Sequence, residues 1–274
     1  MCMNILKSIY KNELDINDIS LSKAIFIVFI FVLASNLICS IFMSTILFLY
    51  PNITFAIISY IFVLVLVDIN MIIFVGKKNV RKDKIKTKNI ESKKNHNTIF
   101  NDYLYVFFIV VGYILIREVF LFEILSKFEG PISQDDISFI IENLKPIEII
   151  IFCMLIYIQS TIFAPIFEEI LFRGIILNGM LSKYKNNQGR AVLYSAIIFG
   201  VVHLNIPQGI NAMMVGLILG FIYYSTKNIK LCIFVHFINN LFTFIPTPED
   251  TLVKLIYLLL GLCMIVKGVK QIKK

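Results

Sequence analysis

Residues 147–181 read IEIIIFCMLIYIQSTIFAPIFEEILFRGIILNGML, 35 positions with four charged side chains in an otherwise apolar run. A bilayer accommodates such an element, because a hydrocarbon core about 30 Å thick takes about 20 apolar helical residues. At about 1.5 Å per residue this run is roughly 52 Å long. It must therefore tilt, protrude or kink, and Pro165, which lacks a backbone donor, offers a place to do so.

Similar apolar runs recur at about 24–49, 53–75, 99–122, 191–205, 209–225, 231–246 and 252–266. Together they predict an all-α, polytopic membrane protein of about eight transmembrane helices, built as a single domain over 1–274. The composition agrees, with 58% hydrophobic and 16% charged residues and a mean hydropathy of +0.83. Soluble domains run nearer 45–50% apolar and about 25% charged. Twenty-five Phe against 7 Pro excludes a disordered or collagen-like chain. The first run is too long for a signal peptide and lacks a small-residue cleavage site, so it reads as a retained anchor. The five cysteines, Cys2, Cys39, Cys153, Cys232 and Cys263, show no C-x-x-C spacing and suggest neither a disulfide framework nor a thiolate metal site.

The net charge of +8 is explained by the membrane, because basic residues concentrate in loops that stay cytoplasmic. An N-in, C-in topology puts most of the 26 Lys and Arg on one side, including Lys7, Lys23, the basic loop of about 76–98, Lys183, Arg190, Lys227 and the C-terminal lysines. The other side receives Glu123, Glu129, Asp135, Asp136, Glu142, Glu148, Glu249 and Asp250. The 76–98 loop reads as a solvated cytoplasmic segment with a bias toward anionic lipid headgroups, and no nucleic-acid partner is expected.

Charged groups inside spans are costly, and each raises a functional question. Asp68, Asp102, Arg117 and Glu118 fall within or near the ends of spans two and three, where a structural role is expected. The run 147–181 differs. Glu169 and Arg173 are four apart with Glu on the N-terminal side, so one helical face can hold them as an ion pair. Glu168 is rotated about 100° away and lacks that partner, which suits a general base or acid. Alternatively all three form one structural charge cluster, and the segment by itself does not decide. Phe199 and His203 share a face at i, i+4, as do His236 and Asn240. By residue rise, His203 lies roughly 18 Å deep and His236 and Asn240 roughly 8–14 Å deep. All four polar groups are expected to meet in the cytoplasmic half of the bilayer around a hydrated cavity.

Glu168-Glu169-x-x-x-Arg173, Phe199-x-x-x-His203 and His236-x-x-x-Asn240, in this order on separate helices, resemble the three motifs of the CAAX protease and bacteriocin-processing family, the Abi-domain intramembrane endopeptidases related to type II CAAX prenyl endopeptidase. The likeness covers about 147–246, and every motif position is filled. It implies peptide-bond hydrolysis by an activated water near the cytoplasmic face of the cell membrane, on a membrane-associated peptide or protein. By the resemblance, Glu168 and His203 polarise the water, while His236 and Asn240 stabilise the oxyanion. Glu169 paired with Arg173 sets the helix and local field, and Phe199 packs beside His203.

A metal-free glutamate mechanism is favoured, with no cofactor. A zinc alternative ligated by Glu168, His203 and His236 is also open, although there is no H-E-x-x-H. Bacteriocin or pheromone processing and self-immunity are the biological roles the resemblance suggests. The alternative class is a non-proteolytic immunity or scaffold membrane protein. A transporter is disfavoured, since the two halves show no paired broken helices or internal repeat.

Overall fold

The computed structural model describes residues 7–9, 15–49, 53–81, 96–128, 145–243 and 247–272. Most of the basic loop 76–98 and the acidic residues Glu129, Asp135, Asp136 and Glu142 lie outside the described residues, as does the side chain of Glu123. The described chain is helical: α1 Leu21–Leu49, α2 Ile53–Asn79, α3 His96–Leu125, α4 Pro146–Lys183, α5 Gln188–Val201, α6 Ile206–Thr226, α7 Ile229–Leu241 and α8 Thr251–Ile272. One isolated antiparallel bridge, Ile16 with Val80, is the extent of β pairing among the described residues. In hydrocarbon each backbone polar group must be satisfied within its own segment, which selects helices for these apolar runs. Large apolar side chains point outward along them, Phe29 at 60% exposure and Leu259 at 59%, as a lipid-facing surface requires.

Helices stand at all eight expected places, and among the described residues six are by length and composition able to cross a membrane. The exceptions correspond to the runs 191–205 and 231–246. Helix α5 has 14 residues and α7 has 13, so each is about 20 Å long, short of the hydrocarbon thickness. Hydropathy marks an apolar run and does not say where its helix stops. Three asparagines mark where helices begin: Asn187, Asn205 and Asn228 N-cap α5, α6 and α7 by accepting the backbone N–H groups of Arg190, Gln208 and Lys230.

Helix α4 is a continuous rod of 38 residues. Two stretches of wider π turn interrupt it, Gln159–Phe163 and Ile170–Leu177. The first falls directly before Pro165, and there the Ala164 N–H reaches back five residues to the Gln159 carbonyl.

Close helix packing rests on missing side chains. A Cβ at Gly112 of α3 would stand 2.6 Å from the Gly261 carbonyl oxygen of α8, and one at Gly261 would stand 2.7 Å from the Gly112 oxygen. With Gly268 against Tyr105, these contacts run α3 and α8 antiparallel. Helices α5 and α6 form a similar hairpin, with Gly200 and Gly209 back to back.

At one end of the bundle, residues 15–20 strap the start of α1 to the ends of α2 and α4. Asn17 N–H donates to the Asn79 carbonyl at 2.8 Å and Ile19 N–H to the Gly179 carbonyl at 3.1 Å. Leu21 N–H donates to the Tyr184 hydroxyl at 3.1 Å, and Ser182 Oγ to Asp18 Oδ1 at 2.6 Å. The Ser182 hydrogen bond and the nearby Arg81 hold the Asp18 carboxyl below its ordinary value. Lys77, Lys78, Arg81, Lys183, Lys185 and Arg190 gather at this end.

Two predictions follow from the packing and the charge. Gly261→Leu should destabilise the protein by about 1–3 kcal/mol through overpacking against α3, read as a lower unfolding midpoint in detergent; Gly189→Ala, whose Cβ meets nothing closer than 3.6 Å, is the control. In a cysteine-free background, Glu249→Cys should react with a membrane-impermeant maleimide in intact cells and Lys185→Cys only after permeabilisation. The reverse pattern overturns the N-in reading.

Candidate active site

Glu168 and Glu169 lie between the two wide turns of α4, and Arg173 lies within the second. Glu169 and Arg173 are both fully buried at 0% exposure. Arg173 Nη1 donates to Glu169 Oε1 at 2.9 Å, the i, i+4 pair that the spacing predicts. Arg173 Nη2 donates to the Gly216 carbonyl on α6 at 3.2 Å, and the guanidinium sits 4.8 Å from the centroid of the Phe199 ring. Three helices, α4, α5 and α6, thus converge on one cation.

His236 of α7 joins the same carboxylate, its Nδ1 donating to Glu169 Oε1 at 2.9 Å. Its Nε2 lies 3.9 Å from Glu168 Oε2, so the imidazole stands between the two glutamates. Glu168 is the less enclosed of them, with its side chain 33% exposed. Its Oε2 is nevertheless buried and makes no hydrogen bond to another protein group.

Helix α5 stops at Val201, and His203 lies in the turn just beyond it. The span expected to continue to 205 therefore ends earlier. The next residue, Leu204, takes a left-handed φ of 54°, a conformation that costs a side-chain-bearing residue about 1–2 kcal/mol. From this turn His203 Nδ1–H donates back to the Phe199 carbonyl at 2.8 Å, satisfying one of the acceptors that a helix end leaves open. A carbonyl can only accept, so Nδ1 carries the proton and the neutral ring keeps its lone pair on Nε2. Phe199 packs edge-on to both imidazoles, with ring centroids 5.2 Å from His203 and 5.7 Å from His236.

Glu168 and His203 line one cavity of about 270 Å³. Its other polar lining comes from Asp68 of α2 and Gln159 of α4, and the remaining wall is apolar, including Phe31 of α1 and Phe167 of α4. His236 and Asn240 are not among the cavity-lining residues. Asn240 Nδ2 donates to the Ser160 carbonyl at 2.8 Å, and its Oδ1 accepts from Asn239 Nδ2 at 3.0 Å. Among the described residues no group of three or more His, Cys, Asp or Glu could hold a metal ion.

Two polar features that the sequence reading treated as structural border the site. Arg117 and Glu118 of α3 form a buried pair at 2.6 Å, and Arg117 Nη1 donates to Asn239 Oδ1 at 3.4 Å, reaching the residue next to Asn240. Asp68 accepts from Ser35 Oγ of α1 at 3.2 Å and faces the cavity. An ionisable residue within a span was the available signal in each case; the partner on a facing helix was not.

Residues 150–242 match the family model described as type II CAAX prenyl endopeptidase Rce1-like. The chain is 38% identical over 95 residues to a Bacillus subtilis protein named "Putative membrane peptidase YdiL", an alignment covering 35% of this chain and 38% of that relative. It thus spans well under half the length of the curated relative. No solved structure matches the chain. Helices α1, α2, α3 and α8 fall outside the matched stretch.

Removing one partner of a buried ion pair leaves an uncompensated charge and costs about 3–5 kcal/mol. Arg173→Met should therefore sharply lower the folded yield and unfolding midpoint, whereas Arg173→Met combined with Glu169→Leu should recover much of the loss. Equal damage from both would show that the pair is not the source.

Proposed function

We propose, from the premise that residues 150–242 belong to the Rce1-like CAAX endopeptidase family, that this multi-pass membrane protein is an intramembrane endopeptidase. It hydrolyses a peptide bond of a membrane-associated peptide or protein by a metal-free, carboxylate-activated water. The observation that supports this reading most is the pairing of Glu168 with His203 on one cavity. The first has a buried oxygen unclaimed by other protein groups, and the second has its Nδ1–H committed to a carbonyl, which leaves Nε2 as a base.

Water enters the cavity and donates its protons toward Glu168 and His203 Nε2. As one proton leaves, the oxygen attacks the scissile carbonyl carbon, and the carbonyl oxygen becomes an oxyanion. His236 Nε2 faces that oxyanion, its ring held at Nδ1 by the Glu169 carboxylate. Asn240 has two N–H bonds on Nδ2, one spent on Ser160, and the second serves the oxyanion. The protonated Glu168 then delivers its proton to the departing amine as the carbon–nitrogen bond breaks, and the acyl portion leaves as a carboxylic acid.

Comparing the protein termini of host cells carrying wild type, Glu168→Ala or His203→Ala at equal membrane levels tests the proposal. New termini are expected with wild type and should fall at least about a hundredfold in either variant, since positioned acid–base groups contribute that much. Identical profiles with an unchanged phenotype would overturn it in favour of an immunity or scaffold protein.

A further inference from the structure

Charge accounting across the bundle leaves a surplus. Two arginines lie inside the spans, and each is matched by one glutamate: Arg173 by Glu169 at 2.9 Å and Arg117 by Glu118 at 2.6 Å. Glu168 and Asp68 are outside these two pairs, and both line the same cavity. Neither has a Lys or Arg within salt-bridge distance among the described residues. Asp68 is held by a single neutral donor, Ser35 Oγ at 3.2 Å. It lies 11 residues before the end of α2 at Asn79, about 16 Å into the helix and beyond reach of the basic end.

The rest of the polar lining repeats the pattern. Gln159 Oε1 and Glu168 Oε2 are buried acceptors without a protein donor. The cavity therefore offers acceptors from α2 and α4, and apart from His203 its remaining wall is apolar. An intramembrane carboxylate is tolerated when a cation meets it, and no Lys or Arg among the described residues reaches Asp68.

We propose that Asp68 is a specificity-determining residue that receives a basic side chain, Lys or Arg, of the substrate near the scissile bond. The proposal rests on the endopeptidase reading of the same cavity. Asp68 and Ser35 belong to α1 and α2, outside the matched stretch 150–242, so the preference belongs to this chain and is not carried by the shared motifs. The Ser35 hydrogen bond fixes one carboxylate oxygen and leaves the other to meet an ammonium or guanidinium, whose alkyl stem lies along the apolar wall near Phe31 and Leu64.

The test compares termini generated by wild type, Asp68→Asn, Asp68→Glu and Glu168→Ala at equal membrane levels. Asn retains an acceptor for Ser35 and removes the charge; Glu retains the charge. Wild-type cleavages are expected to share a Lys or Arg at one fixed position. Asp68→Asn should reduce those cleavages at least about tenfold while sparing sites with a neutral residue there, and Asp68→Glu should keep the preference. Replacing that basic residue by Gln in one identified substrate should slow wild type and leave Asp68→Asn unchanged, the non-additivity of a direct contact.

Termini without a shared basic position, or an unaltered cleavage set with Asp68→Asn, overturn the proposal and leave the protease standing. Loss of every cleavage in both Asp68→Asn and Asp68→Glu, with both variants folded, also overturns it, because the residue would then serve turnover and not selection. Wild-type termini that persist in Glu168→Ala overturn the endopeptidase reading and this one with it.

Discussion

An arginine at full burial in an apolar bundle has to be neutralised where it lies, and the second half of this protein is arranged around that requirement. Glu169 supplies the charge, Gly216 a carbonyl and Phe199 an aromatic face to Arg173. These groups come from α4, α6 and α5, while His236 from α7 adds a second donor to the Glu169 oxygen. Each helix is therefore fixed in rotation by a polar contact that lipid cannot replace. Glu168, one residue along, inherits its position from this knot without being consumed by it. Such an arrangement leaves one carboxylate oxygen free of protein partners while its neighbour carries the structural load.

The short helices serve the same end. Because α5 stops at Val201 and α7 at Leu241, backbone and side-chain polar groups gather inside the layer, where irregular chain is tolerated only around protein or a cavity. The His203 turn uses one orphan carbonyl of α5 to fix its own imidazole. The strained Leu204 beside it is the cost of turning the chain at that depth.

Much of this was legible in the sequence, for identifiable reasons. Hydropathy located all eight helices, and the i, i+4 spacing gave Glu169 with Arg173 and the neighbourhood of Phe199 and His203. The end of α5 was placed too late because Val202 and Leu204 extend an apolar run past the helix, although Asn205 and Pro207 already mark the next start. The choice of Glu169 over Glu168 as the nearer partner of His236 depends on how α7 is rotated against α4, and the π turns of α4 shift that phase. Asp68 was visible as a misplaced carboxylate, but only the packing of α1 and α2 beside α4 shows that it faces the cavity.

The strap at residues 15–20 also orders events in time. Leu21 bonds a residue 163 positions later in the chain, and at about 5–20 residues per second the ribosome delivers that partner on the order of ten to thirty seconds afterwards. Helices α1 and α2, which carry the Ser35–Asp68 contact of the finished protein, are synthesised before that partner. The wall they contribute closes on Glu168 once α4 has been made and Gly179 and Tyr184 have received the strap. The cavity is thus a late product of biosynthesis, assembled from helices that wait in the membrane for their counterpart.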